Sequence, residues 1–175
     1  MRLFIAINFT QENKDILGQI AVDLSAISLA GKPVRSENQH LTLAFIGESE
    51  ATDRLCQCMD KSVAEPFELI ASRLGCFKRP GGDIIWLGVK PAPELFALQA
   101  NLAHRLREAG FAIEKRQFKP HLTLLRQAVM PDDFDWRRYT VAMPEVRQQV
   151  SMISLMKSER IAGQLIYTSI YDKHF

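Results

Sequence analysis

The sequence predicts an α+β fold in which antiparallel sheets carry helices on their outer faces. Three observations support this class. Short apolar or alternating runs of strand length recur along the chain, tight turns join pairs of them, and stretches with helical periodicity lie between them. Strand pairs joined by tight turns are typical of antiparallel sheets. With 175 residues and no low-complexity linker, we expect one domain over residues 1–175.

The first half begins with a short apolar run at 2–8, which predicts a buried strand. Thr10 is suited to cap a helix, and that helix should fade near 30–31. Its apolar positions are Ile16, Ile20, Ala21 and Leu24. Alternation at 39–46 then predicts a strand, and 51–62 suits a short helix.

A hairpin and a long helix follow. Strand-like residues 67–77 and 83–90 flank a turn at 79–82, which contains Pro and two Gly. Residues 94–109 form the clearest helix, because four leucines share one face. They are Leu95, Leu98, Leu102 and Leu106. We therefore expect this helix to pack its leucine stripe against the sheet.

The last quarter contains the remaining strands. We expect a strand at 121–126, a polar turn region at 131–138, and two final strands near 141–156 and 164–172. Together these segments complete two antiparallel sheets.

Composition restricts the function. The apolar fraction is 47%, and the formal net charge of +2 excludes a strongly basic nucleic-acid coat, so any RNA should be bound locally, at an end or a single nucleotide. The chain contains no apolar run of the roughly 18 residues that span a bilayer and no signal-peptide pattern. Its three cysteines are an odd number, which favours reduced thiols. These features predict a cytoplasmic protein.

Two of the four histidines begin an identical tetrapeptide. His40-Leu41-Thr42-Leu43 and His121-Leu122-Thr123-Leu124 lie in opposite halves, each within a segment already predicted to be a strand. Because side chains alternate along a strand, each His–Thr pair lies on one face and each leucine pair on the other. If both strands face one cleft, two imidazoles and two hydroxyls converge there.

Such a group of side chains suits metal-free phosphodiester cleavage. One neutral imidazole can take a proton from water while an imidazolium gives one to the leaving oxygen, since the ordinary histidine pKa of about 6.5 permits both states. Thr42 and Thr123 would donate to phosphate oxygens. Because the two motifs are identical, the residues alone leave open which histidine is the acid.

These motifs resemble the 2H phosphoesterase superfamily. The chain is most similar to the bacterial RNA 2′,3′-cyclic phosphodiesterases (LigT or ThpR, formerly called 2′-5′ RNA ligases), and the likeness covers nearly its whole length. The similar segments are RLFIAI at 2–7, HLTLAFIGE at 40–48, IIWLGV at 84–89, FKPHLTLLR at 118–126, and Leu155-x-x-Ser158 with Gly163 and Tyr167.

The resemblance implies a bilobal, pseudo-twofold LigT-like fold with two antiparallel sheets flanking a central cleft. It also implies that His40 donates a proton and His121 accepts one, and that Arg126 holds the phosphate. Strict alternation from His121 would place Arg126 on the leucine face, so we expect the strand to end or twist there. Relatives commonly carry an arginine where this chain has Asp83, and Arg79 is available to replace it.

Other residues are weaker candidates. Phe118 and Trp86 could stack on a base, although each suits a core position. Basic residues near the second motif could attract a phosphate or form a solvated face, and they are Lys115, Arg116, Lys119 and Arg126. His104 and His174 have no partner motif, and we expect surface positions for both. We expect no metal site, because no ligand cluster occurs at metal-binding spacing.

We therefore expect an enzyme that hydrolyses RNA 2′,3′-cyclic phosphate ends to 2′-phosphomonoesters without metal or cofactor. Its partners would be RNA ends or small cyclic nucleotides. Two alternatives remain at this stage. The same site could join RNA ends through a 2′-5′ bond in the reverse direction, or the cleft could bind nucleotides or RNA ends without turnover.

Overall fold

The computed structural model describes residues 1–62 and 64–175. It contains strands and helices in alternation along both halves of the chain. The strands are β1 (Arg2–Asn8), β2 (Ala30–Pro33), β3 (His40–Glu48), β4 (Phe67–Phe77), β5 (Asp83–Val89), β6 (His121–Val129), β7 (Val146–Val150), β8 (Met152–Ile161) and β9 (Gln164–His174). The helices are α1 (Gln11–Ile27), α2 (Thr52–Asp60), α3 (Pro93–Glu108) and α4 (Trp136–Ala142), with one 3-10 turn at Ser36–Asn38.

The strands are arranged with pseudo-twofold symmetry. Their order is β7-β4-β5-β6-β3-β1-β8-β9, with β2 added beside β6. The order is symmetric about the contact between β6 and β3, where the register consists of one pair, Leu41 with Leu122. Two four-stranded antiparallel halves are therefore joined at a narrow waist, which confirms the predicted bilobal α+β fold.

The two faces of the sheet have different roles. Both leucines of each HLTL motif are buried in the main core together with the apolar residues of α1 and α3. Thr10 caps α1 by accepting a hydrogen bond from the Asn13 amide, and the leucine stripe of α3 is buried as predicted. The opposite face carries only a small apolar cluster built on Phe4, Ala6 and Met156. The helices thus cover the leucine face and leave the histidine face open.

Most segments match the sequence predictions, and three do not. A further strand, β2, begins at Ala30, where the first helix was predicted to fade, and it hydrogen-bonds to β6. Residues 136–142 form α4, where Asp135 accepts from the Arg138 amide, so the predicted turn at 131–138 was wrong in its second part. The predicted strand at 141–156 is two strands, β7 and β8, on opposite halves of the sheet. Pairing partners distant in sequence decided all three.

A matching bulge interrupts both histidine strands. In β3 the register against β1 shifts between the pairs Ile5–Ala44 and Ala6–Thr42. In β6 it shifts against β5 between the pairs Ile85–Leu125 and Trp86–Thr123. Consecutive residues are therefore buried at each bulge, namely Leu43 and Ala44 in β3 and Leu124 and Leu125 in β6. An extra residue in one strand reverses the alternation of the side chains that follow it, up to the next shift in register. A second shift follows in each strand, between the pairs Phe4–Phe45 and Leu3–Gly47 in β3 and between the pairs Ile85–Leu125 and Asp83–Ala128 in β6.

No helix in the described ranges combines the length and apolarity needed for a membrane crossing.

The indole of Trp86 lies across a cradle made by two glycines. A Cβ atom at Gly75 would stand 2.1 Å from the Trp86 ring, and one at Gly88 would stand 2.9 Å from it. Gly75 and Trp86 are directly paired between β4 and β5. Because a side chain at either glycine would occupy the space of the ring, these glycines fix where Trp86 lies on the open face.

We expect Gly75→Ala to lower the free energy of unfolding by about 1–3 kcal/mol, the usual cost of overpacking. The added methyl group must displace the Trp86 ring, as no flexible atom separates them. Denaturant unfolding followed by circular dichroism measures this. The control is Arg73→Ala at an exposed position of the same strand, which should stay within about 0.5 kcal/mol of wild type. Equal stability of Gly75→Ala and wild type would contradict the cradle.

Candidate active site

The two histidines are held in the same way. The Nδ1 atom of His40 lies 2.7 Å from the Asn38 carbonyl oxygen, and that of His121 lies 2.7 Å from the Lys119 carbonyl oxygen. A carbonyl oxygen only accepts, so each Nδ1 carries the proton and donates it. In the neutral rings each Nε2 is therefore the basic nitrogen. The repeated motif produces a repeated tautomer.

The His40 ring is enclosed by aromatic and hydroxyl groups. Its centroid lies 4.9 Å from that of Phe4 and 5.2 Å from that of Tyr167, which meets it edge-on. Nε2 lies 3.0 Å from Thr42 Oγ1. Since this nitrogen accepts when the ring is neutral, the Thr42 hydroxyl donates to it in that state. The motif threonine thus contacts the reactive nitrogen of its own histidine.

The His121 ring has a comparable aromatic setting. Phe77 meets it edge-on with a centroid separation of 5.0 Å, and Trp86 lies 6.1 Å away at a tilt. Trp86 is therefore in contact with a motif histidine, as a wall of its environment. Its indole nitrogen is buried and has no hydrogen-bond partner among the described residues.

Burial lowers the pKa of both imidazoles and so disfavours their protonated forms. Desolvation lowers the pKa of His40 to about 4, with further lowering by the nearby charges of Arg126, Lys14 and His121. Desolvation also lowers the pKa of His121, again assisted by Arg126. In each ring the backbone hydrogen bond opposes this. Both histidines are therefore neutral at pH 7 in the free protein, and Arg126 acts on both.

Arg126 reaches the histidine side of the sheet through the bulge in β6. The shift at Leu124 and Leu125 reverses the alternation, so Arg126 lies on the face of His121 and Thr123. This is the local twist that the sequence argument required. The equivalent position after the β3 bulge is Phe45, with the Arg2 guanidinium 5.2 Å above its ring. The two pseudo-equivalent positions therefore carry different side chains, a cation in β6 and an aromatic ring in β3.

A cavity of about 840 Å³ opens beside these residues. His40, Thr123, Arg126 and Tyr167 line it, whereas Thr42 and His121 are not part of its wall. The remaining walls come from the ends of two hairpins, β4–β5 and β8–β9, and from β2 with the segment after it. Side chains from both halves of the molecule thus meet in one cleft.

Asp83 stands where relatives commonly carry an arginine, and Arg79 was the residue available to replace that arginine. Arg79 lies in the wall of this cleft. Asp83 instead closes the turn before β5. Its carboxylate pairs with Lys78 at 2.7 Å and accepts a hydrogen bond from the Arg79 amide at 3.3 Å. The Lys78 hydrogen bond holds the pKa of Asp83 below its ordinary value. Gly82, with φ +114°, lets the turn approach the Gln127 backbone, since a Cβ there would stand 2.7 Å from it.

Several predicted residues lie elsewhere. Phe118 packs edge-on against Phe96 of α3 with centroids 5.8 Å apart, outside the cleft wall. His104 is exposed on α3 beside Glu108, and His174 is exposed at the end of β9. Of the basic cluster near the second motif, only Arg126 lines the cleft.

The sequence analysis missed other cleft residues. They are Lys32, Arg35, Asn38, Gly82, Gln127, Arg160 and Gln164. Asn38 supplies the carbonyl that orients His40 and also donates from its side chain to the Leu165 carbonyl at 2.9 Å. No local motif marks these positions, because hairpin ends and β2 bring them to the cleft from distant parts of the chain. No group of three or more potential metal ligands occurs within residues 1–62 and 64–175.

Comparisons with known proteins agree with this geometry. The model of the 2′-5′ RNA ligase superfamily matches residues 19–162. RNA 2′,3′-cyclic phosphodiesterase of Thermotoga maritima is 30% identical over 182 residues, covering 100% of this chain and 96% of that protein. Its namesake in Archaeoglobus fulgidus is 34% identical over 129 residues, or 72% of each chain.

Solved structures show the same fold. The crystal structure of Escherichia coli LigT complexed with 3′-AMP matches with a TM-score of 0.84 and 28% identity, covering 99% of this chain and 97% of that one. The matched region includes both histidine strands, the bulge arginine and the hairpins that form the cleft. This chain therefore belongs to the 2′-5′ RNA ligase superfamily.

Proposed function

We propose that this protein hydrolyses the 2′,3′-cyclic phosphate at the end of an RNA, leaving a 2′-phosphomonoester. The observation that carries the proposal is the matched pair of histidines, each with Nδ1 held by a carbonyl so that Nε2 is the basic nitrogen, and both under the electrostatic influence of Arg126. Curated relatives with the name RNA 2′,3′-cyclic phosphodiesterase support the substrate class. A binding module without turnover has no need of two such imidazoles.

The cyclic phosphate is held by hydrogen-bond donors around the histidines. Arg126 is the permanent cation with the largest electrostatic effect on the pKa of both histidines. Its planar guanidinium can donate two hydrogen bonds to non-bridging phosphate oxygens. Thr123 lines the cleft and can donate its hydroxyl proton to the same oxygens. These donors stabilise the charge that accumulates on the phosphate during attack.

Cleavage then needs one water and one proton transfer at each ring. The His121 Nε2 removes a proton from water as the water oxygen bonds to phosphorus. The bond from phosphorus to the 3′ oxygen breaks, and His40 Nε2 donates its proton to that oxygen. The products are a 2′-phosphate and a 3′-hydroxyl group. Exchange with solvent returns the proton from His121 and restores one to His40.

As the proposed proton donor, His40 must be protonated before the leaving oxygen departs. In the free protein its pKa is lowered more strongly than that of His121, so His40 is the first to lose its proton as the pH rises. A bound phosphate diester brings a negative charge next to both rings and raises both pKa values. Substrate binding therefore makes protonation of His40 more favourable than it is in the free protein.

We expect His40→Ala and His121→Ala each to lower kcat by about 10²–10⁴-fold, the usual contribution of a positioned acid or base. The measurement is chromatography of products from an oligonucleotide with a 2′,3′-cyclic phosphate end. His104→Ala, at an exposed position of α3, is the matched control and should retain wild-type activity. Turnover by either motif variant at the wild-type rate would refute the paired mechanism, and a wild-type protein that binds the end without cleaving it would support the binding-module alternative.

The lowered pKa values set the pH dependence. The active form has His40 protonated and His121 neutral, and in the free enzyme its fraction is greatest between the two histidine pKa values, both below 6.5. We expect kcat/KM to be greatest on the acid side of 6.5 and to decrease toward higher pH. The maximum of kcat should lie at higher pH, because bound phosphate raises both values. A kcat/KM that still increases through neutral pH would contradict this.

We expect EDTA to leave the rate unchanged, because histidines, threonine and arginine perform every step of the proposed reaction. Initial rates before and after chelation and desalting test this. Loss of activity that zinc or manganese restores would show that a metal ion takes part, and the acid–base assignment would then be wrong.

A further inference from the structure

Asn38 holds the His40 ring with its backbone and the β8–β9 hairpin with its side chain. Its carbonyl oxygen lies 2.7 Å from His40 Nδ1, and its side-chain amide donates to the Leu165 carbonyl of β9 at 2.9 Å. The residue is 7% exposed, so its amide is largely removed from solvent. Tyr167, two positions along β9 from Leu165, meets the His40 ring edge-on. These four residues therefore form a closed ring of contacts between the 3-10 turn and the hairpin.

The Asn38 carbonyl decides which nitrogen of His40 carries the proton. Nε2 lies 3.0 Å from Thr42 Oγ1, but a hydroxyl group both donates and accepts, so this contact suits either neutral form of the ring. A carbonyl oxygen only accepts and therefore keeps a proton on Nδ1. When the imidazolium gives up one proton, the Nε2 proton is the one released, toward the 3′ oxygen in the proposed reaction. Release from the correct nitrogen thus depends on where the Asn38 carbonyl lies.

The corresponding carbonyl in the other half is held by different means. His121 Nδ1 contacts the Lys119 carbonyl, and Lys119 is exposed, with no side-chain hydrogen bond in the described part of the chain. Lys119 precedes Pro120, and the residue before a proline is restricted to extended conformations. Gln39 takes the place of this proline in the first half, and its side chain reaches only a carbonyl of its own segment, at 3.2 Å. The first motif therefore lacks the local restriction, and the Asn38 side chain supplies a tertiary one.

Asn38 also ties the outer edge of the β8–β9 hairpin to the 3-10 turn. Strand β9 is the last in the order, so a neighbouring strand covers only one side of its backbone. A second link joins the same two segments, since Arg35 donates to Gln164 Oε1 at 2.6 Å, but that bond is exposed. The bond from Asn38 to Leu165 is partly buried, so water competes with it less. The Asn38 side chain is therefore the firmer of the two links.

We propose that Asn38 is a positioning residue for the proposed acid, and that its bond to the β8–β9 hairpin sets the tautomer of His40. The tautomer can be observed without turnover, whereas an effect on kcat rests on the proposed function. The bond from Nδ1 to the Asn38 carbonyl also raises the pKa of His40, against the larger lowering by desolvation. A displaced carbonyl therefore both misorients the ring and reduces the fraction of His40 that is protonated.

The tautomer is tested with two substitutions. Asn38→Ala and Asn38→Leu both remove the side-chain donor, and the leucine retains the bulk of the side chain. Long-range proton–nitrogen NMR spectra of the histidine rings, recorded above neutral pH where both motif rings are neutral, show which nitrogen carries the proton. We expect the wild type to show the Nδ1–H form at both rings, and both variants to add an Nε2–H form at His40 alone. His121 is the internal control, because its carbonyl partner belongs to Lys119.

Kinetics separate positioning from substrate contact. With an oligonucleotide that ends in a 2′,3′-cyclic phosphate, we expect both Asn38 variants to lower kcat by about 100-fold, the loss that a misplacement of about 1 Å can cause, while KM changes little. Asn13→Ala is the matched control, because its side-chain amide also donates to a distant backbone carbonyl, that of Arg147, at 2.7 Å. It should keep kcat and both tautomers. Circular dichroism verifies that all three variants are folded.

Three results would contradict these expectations. An unchanged His40 tautomer in both Asn38 variants, or the same change at His121, would overturn the inference. A higher KM with an unchanged kcat would also overturn it, since Asn38 would then be a substrate contact. A tautomer change confined to His40, in a protein whose wild type shows no turnover, would instead overturn the proposed function and leave the positioning role standing.

Discussion

The active site depends on the burial of four leucines. Each HLTL strand is fixed because its two leucines are enclosed in the core beneath α1 and α3. Burying each leucine contributes roughly 1.5–3 kcal/mol, and a shift of one residue in register would expose the whole set. That hydrophobic constraint holds the histidines and threonines on the opposite face. The contact between Leu41 and Leu122 then places the two strands next to each other at the waist of the molecule.

Matching bulges in the two histidine strands make the pseudo-symmetric cleft chemically different in its two halves. Both histidine strands shift register two to four residues beyond the histidine, and each shift moves the next side chain to the open face. The same backbone irregularity presents Arg126 in one half and Phe45 in the other. In the proposed mechanism the phosphate therefore binds at the Arg126 end of the cleft, although the fold has two equivalent halves.

The surroundings that orient the two histidines also disfavour their protonated forms. The aromatic rings that orient His40 and His121 also remove water from them, and nearby arginine adds repulsion. Desolvation and positive charge both disfavour the imidazolium. In the proposed mechanism an anionic substrate opposes the second effect and favours the imidazolium that acts as the acid.

The sequence by itself determined the fold class, the principal strands and helices, and the two motif strands with their inner and outer faces. These follow from local periodicity and from an exact repeat, which are properties of neighbouring residues. Tertiary structure alone decided the positions of β2, α4 and the strand break before β8, because their partners are distant in sequence. It also decided how Arg126 reaches the cleft and which cations surround it. A bulge is defined by the register against another strand, and a wall made of two hairpin ends exists only after the halves have packed.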